Sequence, residues 1–370
     1  MSGGRSQEPA TIEATVRAAV EATRGRFGVP GIVVLFARGA APPAEIVAGA
    51  DAAGEPLRAD TLFPVASITK LATALAVLRL VDRGEVALDD PLARHLPDAA
   101  AAVDGVTVRK LLAHTGGVPL DLPKGLAPYA EGLDWRGLAA ACLRAPLEAP
   151  PDTRVQYSNV GYGLLALVVE RRTGEDFADA LDALVLGPLG IDGYLGVEPT
   201  RAPATLTGVR GRHAGTRIEP FNSAFWRSLA LPWAGLLTDA AGALALVRAF
   251  RGVPAEFLRP ETRAEATRNQ AGDLAGGMAP PLMWRHSPWG LGPELRGTKT
   301  PHWAPPEAGP DSFGHAGASG CLAWADPSAD VAWAMLGART ADNGWAIRGG
   351  PPIGAAVLAA RGAGGVGRGA

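Results

Sequence analysis

Segments with strand character lie near both ends of this chain, and segments with helix character fill its middle. Residues 31–37 form an apolar, β-branched run, and residues 45–50 form a second, shorter one. Near the other end, residues 320–325 and 331–336 are separated by a short turn, which is typical of an antiparallel hairpin. Because strands need partners, this distribution predicts one sheet assembled from both ends of the chain.

The other segments show the spacing of apolar residues that is typical of helices. Residues 69–83 are apolar on almost every side, which predicts a buried helix that ends at Gly84. Further helices are predicted at residues 11–26, 108–113, 135–144, 160–172, 178–186, 238–250 and 351–361. We therefore expect an α+β fold, with an antiparallel sheet flanked by helices and an all-helical insertion.

This order of elements also suggests how the chain divides into domains. Residues 1–85 and 205–370 are expected to form an α/β domain from the two termini, and residues 86–204 a helical domain. The active site is expected between the two domains. A chain of 370 residues is long enough for such an arrangement around a substantial core.

The composition argues against several classes of function. A formal net charge of -2 gives no support for binding nucleic acid, and no stretch is long and apolar enough to span a membrane. Residues 1–14 lack the apolar centre of a secretory signal, so the expected compartment is the cytoplasm. The Gly-rich tail that starts at Arg361 is expected to fray.

Metal ions and cofactors are not expected either. Cys142 and Cys321 lie far apart and form no metal or redox motif, which leaves a single disulfide as an open possibility. The spacing of the histidines is not that of metal ligands. We expect His114 to be structural, at the end of a helix.

Ser67 and Lys70 stand three residues apart where the predicted buried helix begins. In a helix this spacing places both side chains on one face, so the amine can reach the hydroxyl. Burial lowers the pKa of an amine, which would allow Lys70 to act as a base toward Ser67. Only four of the 35 basic residues are lysines, and arginine cannot lose its proton in this way. The alternative is that Ser67 is an ordinary N-cap and Lys70 a surface residue.

Tyr157 and Asn159 stand on a loop that leads into the predicted helix 160–172. A phenolate held by nearby cations can act as a base, and an amide can orient Lys70 and a substrate carbonyl. The alternative is that Tyr157 packs on the core and Asn159 caps the helix.

His315, Gly317 and Ala318 precede the predicted hairpin. Small residues there would let the backbone of a substrate approach an edge strand. The backbone N–H groups of Ala318 and Ser67 are then suitable for an oxyanion hole. The alternative is a glycine-rich turn with an isolated histidine.

Taken together, these three motifs resemble the serine β-lactamase and penicillin-binding-protein superfamily, which carries Ser-x-x-Lys. The branch it most resembles contains the class C β-lactamases, the D-alanyl-D-alanine carboxypeptidases like them and the family VIII esterases. The resemblance extends over about residues 12–340. It also includes, in matching order, residues 29–32, 111–117, 235–238 and 289–292 and the closing hairpin.

The resemblance implies a role for each residue of the three motifs. It implies that Ser67 is the nucleophile, Lys70 its activating partner and Tyr157 the general base, with Asn159 as the third residue of Tyr-x-Asn. His315 and Gly317 stand where the family often carries Lys-Thr-Gly. The implied fold is an antiparallel sheet flanked by helices, beside an all-helical region.

Three departures from the family pattern bear on substrate choice. His315 replaces the usual lysine, Gly116 stands where the family usually has serine, and no leader is evident. The first and third departures argue against a β-lactamase or a DD-carboxypeptidase as the physiological role.

The leading hypothesis is a serine hydrolase that acts on a small-molecule ester or amide through an acyl-Ser67 intermediate. An acyltransferase that passes the same acyl group to an alcohol or amine in a biosynthetic pathway is the alternative. A non-catalytic binding protein on the same scaffold is a third. The substrate, the pathway and the oligomeric state are left open by the sequence.

Overall fold

A six-stranded antiparallel sheet is assembled from both ends of the chain. The structure is a computed structural model that describes residues 12–359. The strands of the main sheet are β1 (Gly31–Arg38), β2 (Ala44–Gly49), β3 (Glu294–Leu295), β4 (Phe313–Gly317), β5 (Cys321–Asp326) and β6 (Val331–Gly337). They lie in the order β2–β1–β6–β5–β4–β3, and each neighbouring pair is antiparallel. The predicted sheet, built from both ends, is confirmed.

Helices flank this sheet and fill the middle of the chain, so the expected α+β fold is also confirmed. They are α1 (Ile12–Phe27), α2 (Thr69–Asp82), α3 (Leu92–His95), α4 (Val108–Leu112), α5 (Trp135–Arg144), α6 (Asn159–Thr173), α7 (Phe177–Leu181), α8 (Gly187–Leu189), α9 (Ala224–Ser228), α10 (Ala240–Ala249), α11 (Pro260–Ala266) and α12 (Trp345–Leu358). The division into two domains with the boundaries given above stays a prediction.

Strand β1 is apolar along its length because both faces of the sheet are covered. Successive side chains of a strand point to opposite faces. Ile32 and Val34 therefore belong to the core shared with α1 and α12, whereas Val33 and Leu35 belong to the core shared with α2 and α10. In the pairing with β6, Val34 lies opposite Met335.

Helix α6 lies at the centre of the helical segment. It packs against α2, α4, α5 and α7, and its residues from Val160 to Val169 are all buried. The sequence predicted a helix at residues 160–172 from the spacing of its apolar residues. The structure surrounds α6 with other helices, which is the situation that favours a helix apolar on all sides.

Two predicted helices differ from the structure in their form. The segment predicted as one helix at 178–186 consists of α7, a π-helical turn at Asp182–Leu186 and the short α8. The last helix begins at Trp345 rather than at Pro351, so two prolines lie inside it. The observed start instead follows Gly344 in the left-handed region, where Asn343 Oδ1 accepts a hydrogen bond from the Trp345 N–H.

Two further predictions reach the ends of the described region. Residues 360 and 361 of the predicted last helix, the glycine-rich tail and the segment 1–11 lie outside the residues that the structure describes. Within residues 12–359, no helix combines the length and the hydropathy needed to cross a membrane. Cys142 and Cys321 are both buried and are not joined in a disulfide.

Two small sheets hold the loops around the candidate site. Phe63–Pro64, directly before the Ser67 turn, pairs with Leu237–Thr238, which also pairs with Gly193–Tyr194. Val155–Gln156, directly before Tyr157, pairs in parallel with Gly276–Gly277. Each small sheet therefore fixes the backbone next to one of the predicted catalytic residues.

Candidate active site

Ser67 lies in the 3-10 turn Ala66–Ile68, directly before α2. Ala66 has φ of 47°, a left-handed conformation that costs a residue with a side chain about 1–2 kcal/mol. Val65, the residue before this turn, packs closely against Gly317 at the end of β4. A Cβ atom on Gly317 would lie 2.3 Å from the carbonyl oxygen of Val65. Glycine at position 317 is thus required by the close approach of two segments of this chain, apart from any approach by a substrate.

Lys70 lies in the first turn of α2 and is completely buried. Its Nζ is 3.3 Å from Ser67 Oγ, 2.7 Å from Asn159 Oδ1 and 3.0 Å from the carbonyl oxygen of Trp233. The last two oxygens can only accept hydrogen bonds. A neutral amine has two N–H bonds and one lone pair. If these two oxygens receive the N–H bonds, the lone pair is left facing the Ser67 hydroxyl.

The surroundings of Lys70 favour the neutral amine. Burial lowers the pKa of Lys70 well below its usual value, and the carboxylate of Asp121 opposes this effect. The Nζ atom also lies 4.6 Å from the centre of the Tyr157 ring and 5.6 Å from that of Tyr162. In its neutral form, a buried amine that faces a serine hydroxyl can accept the proton of that hydroxyl, which arginine could not do.

Asn159 connects Lys70 to a residue that the sequence analysis did not identify. Its Nδ2 donates a hydrogen bond to Asp121 Oδ1 at 2.6 Å, so its Oδ1 is the atom that faces Lys70. The cap of α6 is Ser158, whose Oγ accepts from the Gly161 N–H at 2.8 Å, so the alternative assignment of Asn159 as the cap is wrong. Asp121 lies in the irregular loop between α4 and α5, where no spacing pattern marks it.

Tyr157 follows the strand Val155–Gln156, and its N–H donates to the Gly277 carbonyl at 3.0 Å. Its hydroxyl is buried and has no hydrogen-bonding partner within the described part of the chain. Burial raises the pKa of Tyr157 well above its usual value, and the Ser67 side chain opposes this shift. The structure therefore favours a neutral phenol next to Ser67, rather than a phenolate.

His114 supports both the start of α6 and the Tyr157 ring. Its Nδ1 accepts a hydrogen bond from the Ser158 N–H at 3.0 Å, which places the proton of the neutral ring on Nε2. Burial, followed by the proximity of Lys70, lowers the pKa of His114 well below its usual value. The centre of its ring lies 4.6 Å from that of Tyr157. Gly116, which departs from the family pattern, lies two residues after His114, and a Cβ atom at this position would lie 3.2 Å from Leu111 Cδ2.

His315 lies on β4 and is completely buried. Its Nδ1 donates to the Ala316 carbonyl at 2.8 Å in the neutral ring, and its Nε2 has no partner among residues 12–359. Burial, helped by Lys70, lowers the pKa of His315 to about 4, so the ring is neutral at pH 7. The centre of the ring lies 5.9 Å from that of Tyr157. Ala318 follows the strand, and its carbonyl accepts from the Ala341 N–H at 2.8 Å.

The structure thus brings the predicted residues Ser67, Lys70, Tyr157, Asn159 and His315 into one continuous set of contacts. This arrangement can be compared with known proteins. The family model described as Beta-lactamase matches residues 15–351. The chain belongs to the beta-lactamase family.

Two relatives within the beta-lactamase family are similar in sequence to only part of this chain. Esterase EstB from Burkholderia gladioli is 38% identical over 257 residues, which are 60% of this chain and 64% of the esterase. Penicillin-binding protein 4 from Amycolatopsis lactamdurans is 36% identical over 146 residues, which are 37% of each protein. The chain therefore matches less than two thirds of the length of either relative. The crystal structure of a beta-lactamase from Mycobacterium bovis has 29% identity and a TM-score of 0.65, covering 93% of this chain and 99% of that one.

Behind the site of this beta-lactamase family member, Trp289 connects the predicted residues to a buried ion pair. The centre of its ring lies 4.8 Å from the centre of the His114 ring and 6.0 Å from that of the His315 ring. Lys299 Nζ lies 4.9 Å from the same ring and 2.9 Å from Glu294 Oε1. No sequence pattern marked the buried pair as part of the site.

In the buried pair, Glu294 and Lys299 each favour the charged form of the other. Burial would raise the pKa of Glu294, but Lys299 and then His302 hold it well below its usual value. Burial lowers the pKa of Lys299, whereas Glu294 raises it.

Among residues 12–359, no group of three or more histidine, cysteine, aspartate or glutamate side chains is arranged to hold a metal ion.

Proposed function

We propose that this chain is a serine hydrolase that cleaves an ester or an amide through an acyl-Ser67 intermediate. The observation that carries the proposal is the environment of Lys70. Its buried amine has two oxygens that can only accept hydrogen bonds, and its third partner is the Ser67 hydroxyl. A serine needs such a base before it can attack a carbonyl carbon.

In the proposed reaction, Ser67 Oγ attacks the carbonyl carbon while its proton moves to Lys70 Nζ. The backbone N–H groups of Ser67 and Ala318 stabilise the oxyanion, as the sequence led us to expect. The neutral Tyr157 hydroxyl then donates its proton to the leaving oxygen or nitrogen and recovers one from Lys70. Water, activated by the same groups, releases the acid and restores Ser67.

The comparisons support an ester or amide as the substrate. The relative from Burkholderia gladioli is named as an esterase, at 38% identity. A neutral His315 offers no permanent cation to a carboxylate, which disfavours β-lactams and D-Ala-terminated peptides as substrates. An acyltransferase would use the same acyl-enzyme with an alcohol or amine in place of water.

Labelling identifies the nucleophile directly. The protein is incubated with a fluorophosphonate or with p-nitrophenyl butyrate, and the adduct is located by mass spectrometry. We expect a single adduct, on the peptide that contains Ser67, and none in Ser67→Ala. Ser228→Ala, which changes an exposed serine on α9, is the matched control and should label normally.

An adduct on another serine, or full esterase activity in Ser67→Ala, would contradict the proposal. Addition of an alcohol to the p-nitrophenyl butyrate assay separates hydrolysis from transfer. A hydrolase releases mainly butyrate, whereas an acyltransferase forms mainly the new ester.

A further inference from the structure

Asp121 carries an exposed carboxylate next to the proposed catalytic residues. Its Oδ1 accepts the 2.6 Å hydrogen bond from Asn159 Nδ2, and Asn159 Oδ1 lies 2.7 Å from Lys70 Nζ. Lys70 in turn contacts Ser67 Oγ. The carboxylate is therefore separated from the proposed nucleophile by three consecutive hydrogen bonds. In the described part of the chain, its Oδ2 accepts no hydrogen bond, and no cation forms an ion pair with it.

The other ionisable groups around Ser67 do not compensate this charge. His114 and His315 are buried and neutral at pH 7, and burial favours the neutral form of Lys70. The nearest buried cation behind Trp289 is Lys299, which is already paired with Glu294. In the described part of the chain, the Asp121 carboxylate therefore has the Asn159 amide as its hydrogen-bonding partner but no ion-pair partner, and it lies on the solvent-exposed side of the cluster.

An exposed charge that has no ion-pair partner attracts ligands of the opposite sign and repels those of the same sign. Asn159 occupies one oxygen of Asp121 and thereby holds the carboxylate in place, while the other oxygen is free to accept a further hydrogen bond. An ammonium group has three N–H donors and fits such an acceptor, and charge-assisted hydrogen bonds of this kind are the stronger ones.

We propose that Asp121 recognises a cationic amino group of the substrate, so that esters or amides carrying an ammonium group near the reacting carbonyl are preferred. This inference rests on the proposed function, because it concerns the choice of substrate at the acyl-Ser67 site. It assigns to Asp121 a role in specificity, in addition to the orientation of the Asn159 amide.

The test compares substrates that differ only in charge. The probes are the methyl esters of β-alanine, 4-aminobutyrate and 6-aminohexanoate, each with its N-acetylated counterpart, and acid release is followed by pH-stat. A second pair, 2-aminoethyl and 2-acetamidoethyl butyrate, places the amine on the alcohol side. For at least one pair we expect kcat/KM to be roughly twofold to fivefold higher for the amine, because an exposed ion pair contributes up to about 1 kcal/mol.

Asp121→Asn keeps an oxygen that can accept from Asn159 but removes the charge. The readout is the ratio of kcat/KM for amine and acetamide, and we expect this ratio to fall to about one whatever the absolute rates. Asp179→Asn, which makes the same change on an exposed residue of α7, should keep the wild-type ratio. In the wild type, high salt should also reduce the ratio, since it screens exposed charges.

A wild-type ratio near one for every pair, or a ratio that persists in Asp121→Asn, would overturn the inference while leaving the serine hydrolase intact. If neither member of any pair is hydrolysed and Ser67 is not labelled, the proposed function fails, and this inference fails with it.

Discussion

Lys70 Nζ and Asn159 Oδ1 lie 2.7 Å apart, although 89 positions separate the two residues in the sequence. The contact joins the first turn of α2, which carries the lysine, to the first residue of α6. The position of the Lys70 amine therefore depends on how two buried helices pack, and these helices hold the amine close to Ser67.

Replacement of Lys70 separates its charge from its basicity. We expect Lys70→Arg to lose nearly as much activity as Lys70→Ala, because arginine keeps the positive charge but cannot accept a proton from Ser67. The loss in kcat should be roughly a hundredfold or more, which is typical when a positioned base is removed. Hydrolysis of p-nitrophenyl butyrate measures it, with circular dichroism to show that each variant folds. If Lys70→Arg keeps most of the activity, Lys70 supplies only charge.

The pH profile of kcat/KM reports the protonation of Lys70 in the free enzyme. In the proposed mechanism the active form is the neutral amine, so activity should rise with pH through the pKa of Lys70, which burial places well below its usual value. Asp121 raises this pKa, so Asp121→Asn should move the rising limb to lower pH. The measurement is kcat/KM for a neutral ester between pH 5 and pH 10. A limb that moves to higher pH would contradict the assignment.

The Tyr157 hydroxyl can be tested without disturbing its ring. Tyr157→Phe keeps the contacts with His114, Trp289 and His315 but removes the group that we assign to protonation of the leaving group. We expect kcat to fall by roughly a hundredfold for a poor leaving group such as an alkoxide. The loss should be smaller for p-nitrophenolate, which leaves without a proton. An equal loss for both esters would indicate a different role.

Local patterns in the sequence were sufficient to predict much of this fold. A continuous run of apolar, β-branched residues identified β1, and an almost uniformly apolar run identified α2 with Lys70 inside it. The spacing of Ser67 and Lys70 then predicted their contact, because a helical turn brings such a pair together.

The features that were missed are contacts of irregular segments, one between residues 38 positions apart and one between residues five positions apart. Asp121 reaches Asn159 from an irregular loop, and Lys299 meets Glu294 behind Trp289. No periodicity marks such contacts. The cap of α6 was ambiguous for another reason, since serine and asparagine are both good caps and only their geometry distinguishes them.

The buried pair of Glu294 and Lys299 gives a prediction about stability. Glu294→Gln should lower the free energy of unfolding by roughly 3–5 kcal/mol, because Lys299 remains buried without its partner. The double variant Glu294→Gln with Lys299→Met should recover most of this loss. Unfolding by urea at pH 7 measures both. A loss below about 1 kcal/mol in the single variant would show that solvent reaches Lys299.

The low pKa of Glu294 also gives the sign of a pH effect on stability. Because the folded-state pKa is below the usual value, the ionised carboxylate stabilises the fold at pH values above the unfolded-state pKa, about 4.3. This contribution is lost as the pH falls toward the folded-state pKa. Below about pH 4, the free energy of unfolding should therefore decline less steeply in Glu294→Gln than in the wild type.

His315 stands where the family often carries a lysine, and its pKa of about 4 makes it neutral at pH 7. A lysine there would offer a permanent cation to the carboxylate of a β-lactam or of a terminal D-Ala. A desolvated charge-assisted hydrogen bond contributes up to roughly 3 kcal/mol, or about a hundredfold in kcat/KM. We therefore expect neutral short-chain esters to be hydrolysed far better than substrates that carry a carboxylate.

His315→Lys tests this argument, since it should move the preference toward carboxylate substrates. The measurement is kcat/KM of both proteins for p-nitrophenyl acetate, nitrocefin and a D-Ala-D-Ala peptide. Because position 315 is completely buried, thermal unfolding must first show that the variant folds. The ratio of nitrocefin to acetate should rise, by up to about a hundredfold if the new ammonium is desolvated. A wild type that hydrolyses nitrocefin near the diffusion limit would instead show that a neutral His315 does not exclude carboxylates, and that β-lactams are substrates.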